Sequence, residues 1–308
     1  MLSERTLFRL KLVLLPLGIG TLVYWATQED SLRQRAVLGW PLVAGAGLSL
    51  LATLPLALRF RHAMKIGGFA IDLPHSLRIN ALSAFYHFFV PLSIGSELTK
   101  FMHLRFIAPE RGSMRAAGAI LLDHVLGFAA ILLVLAALLA DGEPLPVRID
   151  PAWAWSALAV ANVIGAGVAW QFRTRLRTTG RELWARVLGH RFDAAAGLLW
   201  SVAMQLLLAG AVAVGSSGWD LGISYREMLF VLAGSNLLAA VPLNVAGIGA
   251  AELAGTGLFI ALGLTSREAV LLVSLLFCYR LLFAVAGGGW DFVASHRRSP
   301  GRRGVRAK

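Results

Sequence analysis

Long, uninterrupted runs of apolar residues dominate the pattern along the chain. They cover about 8–26, 36–58, 116–140, 152–171, 194–215 and 268–290. A helix needs about 20 apolar residues to cross the roughly 30 Å of hydrocarbon in a bilayer. The pattern therefore predicts an all-α, polytopic membrane protein with six full transmembrane helices.

Two further apolar regions, about 79–106 and 227–264, are interrupted by proline, glycine and glutamate. The interruptions read "VPLSIGSELTK" at 90–100 and "VPLNVAGIGAAE" at 241–252. Proline removes a backbone donor, and a new helix N-terminus exposes N–H groups that attract an anion. Irregular backbone at membrane depth is tolerated where it is buried in protein or lines a wet cavity. The predicted helix breaks are at Pro91, Gly95, Pro242, Gly247 and Gly249. The alternative is a kink or close helix packing.

The distribution of the basic residues predicts how the chain is oriented in the membrane. Of the 29 Lys and Arg residues, 23 lie before residue 12, in 59–78, 97–115 and 172–193, or after Ser295. Cytoplasmic segments of membrane proteins are enriched in Lys and Arg. We therefore expect both termini, including a basic tail at 296–308, on the cytoplasmic side of the inner membrane. Residues 141–151 and 216–226 are expected outside.

With these sides assigned, each interrupted region must enter and leave the membrane from one side. The sequence thus predicts two re-entrant helical hairpins of opposite orientation. Each half then reads as span, span, hairpin, span, so that 1–295 forms a single transmembrane domain with inverted halves at about 1–140 and 152–295. Inverted repeats with discontinuous helices at matching positions are typical of a transporter site near the midplane.

Composition narrows the class of protein further. The chain is 57% hydrophobic and only 15% charged, which argues against a soluble domain. The net charge of +12 is better explained by topology and anionic lipid than by nucleic acid, so no nucleic-acid partner is expected. The single cysteine, Cys278, offers neither a disulfide framework nor a cysteine-based metal site.

Ionisable residues inside membrane segments mark functional sites by default. We assign substrate binding to Glu97, Lys100, Asp123, His124, Glu252 and Arg280. The alternative is a set of purely structural buried pairs. His87 and His103 are weaker candidates, and no metal or other cofactor is expected. No nucleotide-binding loop or serine elbow is found, so we do not expect an enzyme.

Three stretches resemble the lysylphosphatidylglycerol synthase transmembrane-region family, also called flippase-like domain proteins. They are "NALSAFYHFFVPLSIGSELTKFMHLR" (80–105), "LLDHVLGF" (121–128) and "VPLNVAGIGAAELAGTGLFIALGLTSREAVLLVSLLFCYRLL" (241–282). Glu97, Lys100, Asp123, Glu252 and Arg280 fall on the family's motif positions. Two arginines of those motifs are replaced, by His124 and Ala251, so the resemblance does not by itself imply a strongly anionic ligand.

The resemblance implies a stand-alone member without the synthase domain, acting as a lipid flippase or transporter. The lipid would be a phospholipid, a polyprenyl-phosphate or a hopanoid-type lipid moving between leaflets. The alternative is a non-transporting scaffold, or an accessory subunit of a lipid-modifying or glycosyl-transfer enzyme. Membrane lipids are the expected partners, and a lipid-modifying enzyme is a further candidate; the oligomeric state is left open.

The two interrupted regions are expected to meet in the membrane. We expect Glu252 to face Glu97 and Lys100 across a central cavity that Asp123 and Arg280 also line. Glu252 would either pair with a basic group or take up a proton, because loss of hydration favours the neutral carboxyl.

Overall fold

The computed structural model describes residues 39–89, 95–141, 173–238, 244–245 and 248–297. Within them the chain is all-helical apart from one pair of two-residue strands, so the predicted all-α class is confirmed. The predicted spans 8–26 and 152–171, the first predicted outside segment from residue 142 onward, and the tail from 298 lie outside the described residues.

The first half contains five described helices, and local signals explain where they stop and start. They are α1 (Trp40–Leu51), α2 (Thr53–Gly67), α3 (Leu73–Phe89), α4 (Gly95–Ile107) and α5 (Ser113–Ala140). Pro55 has no N–H for the Leu51 carbonyl, and the helix is interrupted at Ala52. α2 ends at Gly68, whose φ of 88° is left-handed. Asp72 accepts the His75 backbone N–H and caps α3.

The second half contains α6 (Arg173–Gly189), α7 (Arg191–Gly215), α8 (Tyr225–Leu238), β1 (Asn244–Val245), β2 (Ile248–Gly249), α9 (Ala250–Ala261) and α10 (Ser266–Arg297). The strands are antiparallel, pairing Asn244 with Gly249. Two capping boxes begin helices here, in which a hydroxyl and a glutamate three residues later satisfy each other's backbone N–H. Ser224 and Glu227 begin α8, and Thr265 and Glu268 begin α10.

Four helical stretches in the described part of the chain are long and apolar enough to cross a membrane. They are Trp40–Gly67, Ser113–Ala140, Arg191–Trp219 and Ser266–Trp290. They correspond to the spans predicted at about 36–58, 116–140, 194–215 and 268–290. The buried apolar side chains of the bundle form two main clusters, one around Phe60 and Leu104 and the other around Phe259 and Leu272.

Each interrupted region contains two described helices. α3 packs on α4, and α8 packs on α9. Each region also packs on the last helix of the opposite half: α3 lies against α10, and α8 lies against α5. The contact of α3 with α10 is close, because a Cβ added to Gly287 would overlap the Ala81 carbonyl.

Some predicted connections are helical. The segment 59–78 is a predicted cytoplasmic connection, and in the structure α2 continues to Gly67 and α3 begins at Leu73. Arg59 and Lys100 belong to the predicted cytoplasmic segments, and Lys100 is also a predicted substrate-binding residue; in the structure both side chains are buried. The segment 97–115 is largely α4, and 172–193 is largely α6. Basic residues concealed these helices, because a charged residue in an apolar run resembles the end of a span, whereas Arg59 and Lys100 pair inside the bundle.

Candidate functional site

Asp123 is the centre of the first polar cluster. It lies in α5 within a candidate span, and its side chain is completely buried. Arg59 of α2 binds it with two parallel contacts, Nε to Oδ1 at 2.7 Å and Nη2 to Oδ2 at 3.2 Å. A two-pronged guanidinium–carboxylate pair is strong and geometrically specific. This pair fixes α2 against α5.

α4 adds two more charges to this cluster. Lys100 Nζ lies 3.5 Å from Asp123 Oδ2 and 3.6 Å from Glu97 Oε1. The Lys100 amine also lies 5.7 Å from the centre of the Phe60 ring. His124 Nε2 lies 2.9 Å from Glu97 Oε2, at the more exposed edge of the group. We call Arg59, Glu97, Lys100, Asp123 and His124 the Asp123 cluster.

The second cluster is built around Glu252, the third residue of α9. One carboxylate oxygen accepts the Gly249 backbone N–H at 2.8 Å, as an N-terminal cap does. The other lies 3.2 Å from Arg280 Nη1 of α10. Glu252 therefore pairs with a basic group, which was one of its two expected states.

Two neutral amides extend this second cluster. Arg280 Nη2 donates to Asn236 Oδ1 of α8, and Asn236 Nδ2 donates to Gln205 Oε1 of α7, both at 3.2 Å. Gln205 is buried. The chain of hydrogen bonds links α7, α8, α9 and α10. We call Gln205, Asn236, Glu252 and Arg280 the Glu252 cluster.

A small cavity adjoins the Glu252 cluster. Apart from Glu252, Arg280 and Ser235, its walls are apolar: Val212, Val231, Leu232, Ala251, Gly255, Phe259, Leu272, Val273 and Leu276. An ion pair at the edge of an apolar space can hold a polar group while apolar groups fill the rest. The side chains of the Asp123 cluster do not line this cavity.

His87 of α3 stands between the two clusters. Charges from both act on it, those of Arg280, Glu252, Glu97 and Lys100. Its ring also packs edge-on against Phe88, with ring centres 5.7 Å apart. His87 is a weaker candidate in the sequence, and in the structure it lies within electrostatic reach of charges from both clusters.

The predicted site residues therefore separate into two groups. Glu97, Lys100, Asp123 and His124 come together, and so do Glu252 and Arg280. The predicted single cavity shared by Asp123 and Arg280 is not seen among the described residues, since Asp123 is enclosed by Arg59 and Lys100. Of the predicted helix breaks, Gly95 begins α4 and Gly249 caps α9. Pro91, Pro242 and Gly247 lie outside the described residues.

Sequence reasoning missed Arg59, Gln205 and Asn236. Each interrupts an apolar helical stretch, as in "LALRFRHAM", "SVAMQLLLAG" and "LAGSNLLAA". The available signal was a polar residue in an apolar stretch, which needs a partner inside the protein. In the described part of the chain, no three His, Cys, Asp or Glu side chains form a group able to hold a metal ion.

The chain was compared with curated proteins, solved structures and protein-family models. No curated protein and no solved structure matched the chain. A family model described as the lysylphosphatidylglycerol synthase TM region matches residues 8–288. Together with the four apolar helices, the match makes this a multi-pass membrane protein. The chain belongs to the lysylphosphatidylglycerol synthase transmembrane-region family.

Proposed function

We propose that the protein is a lipid flippase or transporter that moves a polar lipid between the two leaflets of the cytoplasmic membrane. The observation that carries the proposal is the Glu252–Arg280 pair beside the break that precedes α9. An ion pair, a capped helix start and a cavity coincide there, within a family whose membrane region is named for a lipid synthase. That combination suits a site that handles a lipid head group.

The arrangement of helices supports a transporter architecture. Glu97 and Glu252 are each the third residue of the second described helix of an interrupted region. The reciprocal contacts, α3 with α10 and α8 with α5, are those expected of two related halves. We propose six spans, two re-entrant hairpins of opposite orientation, and both termini in the cytoplasm.

The proposed mechanism is a rocking of one half against the other. In one state the cavity beside Glu252 would open toward the cytoplasmic leaflet, and in the other toward the outer leaflet. The head group would exchange contacts with the Glu252 carboxylate and the Arg280 guanidinium, while the acyl chains stay in the bilayer. No chemical step is proposed, and a lipid-modifying enzyme would act as a partner that supplies or consumes the lipid.

The test is lipid movement in vesicles that contain the purified protein. Glu252→Gln keeps the shape but removes the charge, and Arg280→Lys replaces a fork of donors with a point charge. Losing one charge-assisted hydrogen bond of about 1.5–3 kcal/mol should slow movement about tenfold or more. The readout is the fraction of a fluorescent lipid that stays protected from a membrane-impermeant quencher over time.

The matched control is Glu110→Gln, an exposed carboxylate outside the candidate spans. It should move lipid at the parental rate. All three variants should keep the parental unfolding temperature within a few degrees. If Glu252→Gln and Arg280→Lys both move lipid like the parent, the proposed site is wrong. Mass spectrometry of the lipids that co-purify with the protein identifies which lipid to use first in the vesicle assay.

A further inference from the structure

α6 lies across one end of the helix bundle. Arg186 of α6 donates to the carbonyl of Gly67, the last residue of the span Trp40–Gly67, at 3.4 Å. Val187 packs against the apolar cluster around Phe60 and Leu104. α6 also contacts α5 and the start of α7. Because these contacts are made near the ends of spans, α6 lies at the level of a membrane surface.

A different face of α6 is exposed and apolar. Trp184 is 64% exposed and Leu188 is 58% exposed, one helical turn apart. Arg181 is exposed one turn before Trp184. Phe192, just after the bend at His190, is 79% exposed, with the Arg191 guanidinium 5.3 Å from its ring centre. Exposed tryptophan beside arginine is typical of the boundary between lipid head groups and acyl chains.

The charge of this segment indicates which kind of surface it binds. Its sequence "RTRLRTTGRELWARVLGHR" (173–191) contains six arginines and one glutamate. Basic residues near a bilayer are drawn to anionic head groups, each by about 1 kcal/mol. A basic helix with apolar aromatic anchors on one face lies in the interface plane.

We infer that α6 is an interfacial helix that binds anionic phospholipid head groups through its arginines, with Trp184, Leu188 and Phe192 inserted among the acyl chains. This surface is separate from the Asp123 and Glu252 clusters, and it does not depend on lipid movement. A basic binding surface here would hold anionic lipids against one end of α2, α5 and α7.

The test is the depth of spin labels in vesicles. Single cysteines replace Trp184, Leu188, Glu182 or Ala185 in a Cys278→Ala background, and each carries a nitroxide. Leu132, exposed in the middle of the span Ser113–Ala140, gives the acyl-chain reference, and Glu110 gives the aqueous reference. Labels at 184 and 188 should collide more with oxygen than with a water-soluble nickel chelate. Labels at 182 and 185 should show the reverse.

Anionic lipid supplies the second part of the test. Vesicles of phosphatidylcholine alone are compared with vesicles that also contain phosphatidylglycerol. Labels at 184 and 188 should lie deeper with phosphatidylglycerol, and high salt should cancel the difference through screening. Arg181→Glu should reduce the difference in depth between the two kinds of vesicle.

Two outcomes would overturn the inference. If labels at 184 and 188 are as open to the nickel chelate as the label at 182, the face does not enter the membrane. A soluble partner would then be the better explanation of the exposed tryptophan. If depth is the same with and without phosphatidylglycerol, the arginines do not select anionic lipid.

Discussion

The Asp123 cluster and the Glu252 cluster occupy similar places in the two halves but are built differently. In each, a glutamate at the third position of the second described helix of an interrupted region pairs with a basic side chain. In the first, a fully buried carboxylate is bound by both Arg59 and Lys100. In the second, one ion pair is continued by two neutral amides and borders a cavity.

This difference leads us to expect that the Asp123 cluster is rigid and that the Glu252 cluster can change its contacts. A buried ion pair holds its geometry because losing one partner leaves an uncompensated charge in a low-dielectric interior. Neutral amides lose less when they exchange partners. Glu252 and Arg280 also keep some exposure, at 13% and 29% of their side chains, whereas the Asp123 side chain has none. We therefore expect the Asp123 cluster to govern stability and the Glu252 cluster to govern lipid movement.

The largest effect is expected from Asp123→Asn. The change keeps the size of the side chain but leaves the Arg59 guanidinium buried without its full counter-charge. Breaking one partner of a buried pair costs about 3–5 kcal/mol. The unfolding temperature of the detergent-solubilised protein, followed by size-exclusion chromatography after heating, should fall sharply.

The control for this prediction removes both charges. Arg59→Met with Asp123→Leu removes the buried pair together, and Lys100, which loses Asp123, still lies 3.6 Å from Glu97. This double variant should recover most of the lost stability. An Asp123→Asn protein as stable as the parent would mean that the first cluster is no more rigid than the second.

An intermediate effect is expected from Asn236→Ala in the Glu252 cluster. The change deletes the link between Gln205 and Arg280 but leaves the Arg280–Glu252 pair in place. Leaving a buried amide acceptor unpaired costs about 1–3 kcal/mol. Lipid movement should fall by a larger factor than stability alone would explain, because the Arg280 fork loses its second anchor.

Combining Asn236→Ala with Glu252→Gln tests whether Asn236 belongs to the transport site. If both residues act through Arg280, the double variant should lose less activity than the two single losses predict. Additive losses would place Asn236 outside the transport site.

The sequence predicted much of the fold, because apolar runs and breaks are strong signals. The spans found at Ser113–Ala140 and Ser266–Trp290 match predicted ones closely, and each interrupted region contains two described helices. The limits of α2 were missed. Pro55 and the basic residues after Leu58 resemble the end of a span, whereas burial of the Arg59 side chain depends on a partner 64 positions later.

The site was predicted less completely, because its geometry also depends on contacts between residues that are far apart in the chain. Single residues such as Glu97, Asp123, Glu252 and Arg280 are recognisable because a charge in an apolar run is costly. Their grouping depends on which helices touch, and sequence spacing does not contain that information. Gln205 and Asn236 are uncharged and were overlooked, although they connect Arg280 to α7 and α8.

The smallest effect is expected at Asp72, a charge outside the candidate spans. The His75 backbone N–H and side chain hold the pKa of Asp72 below its ordinary value of 3.8. Its charged form therefore favours the folded state above about pH 4, and that contribution disappears as the pH falls through the lowered pKa. Asp72→Asn can still cap α3 but does not titrate. Between pH 6 and pH 3 the parent should lose slightly more thermal stability than the variant. Equal losses would mean that Asp72 contributes no charge-dependent stability. A loss as large as that of Asp123→Asn would mean that a charge outside the candidate spans contributes as much stability as the buried Asp123 carboxylate.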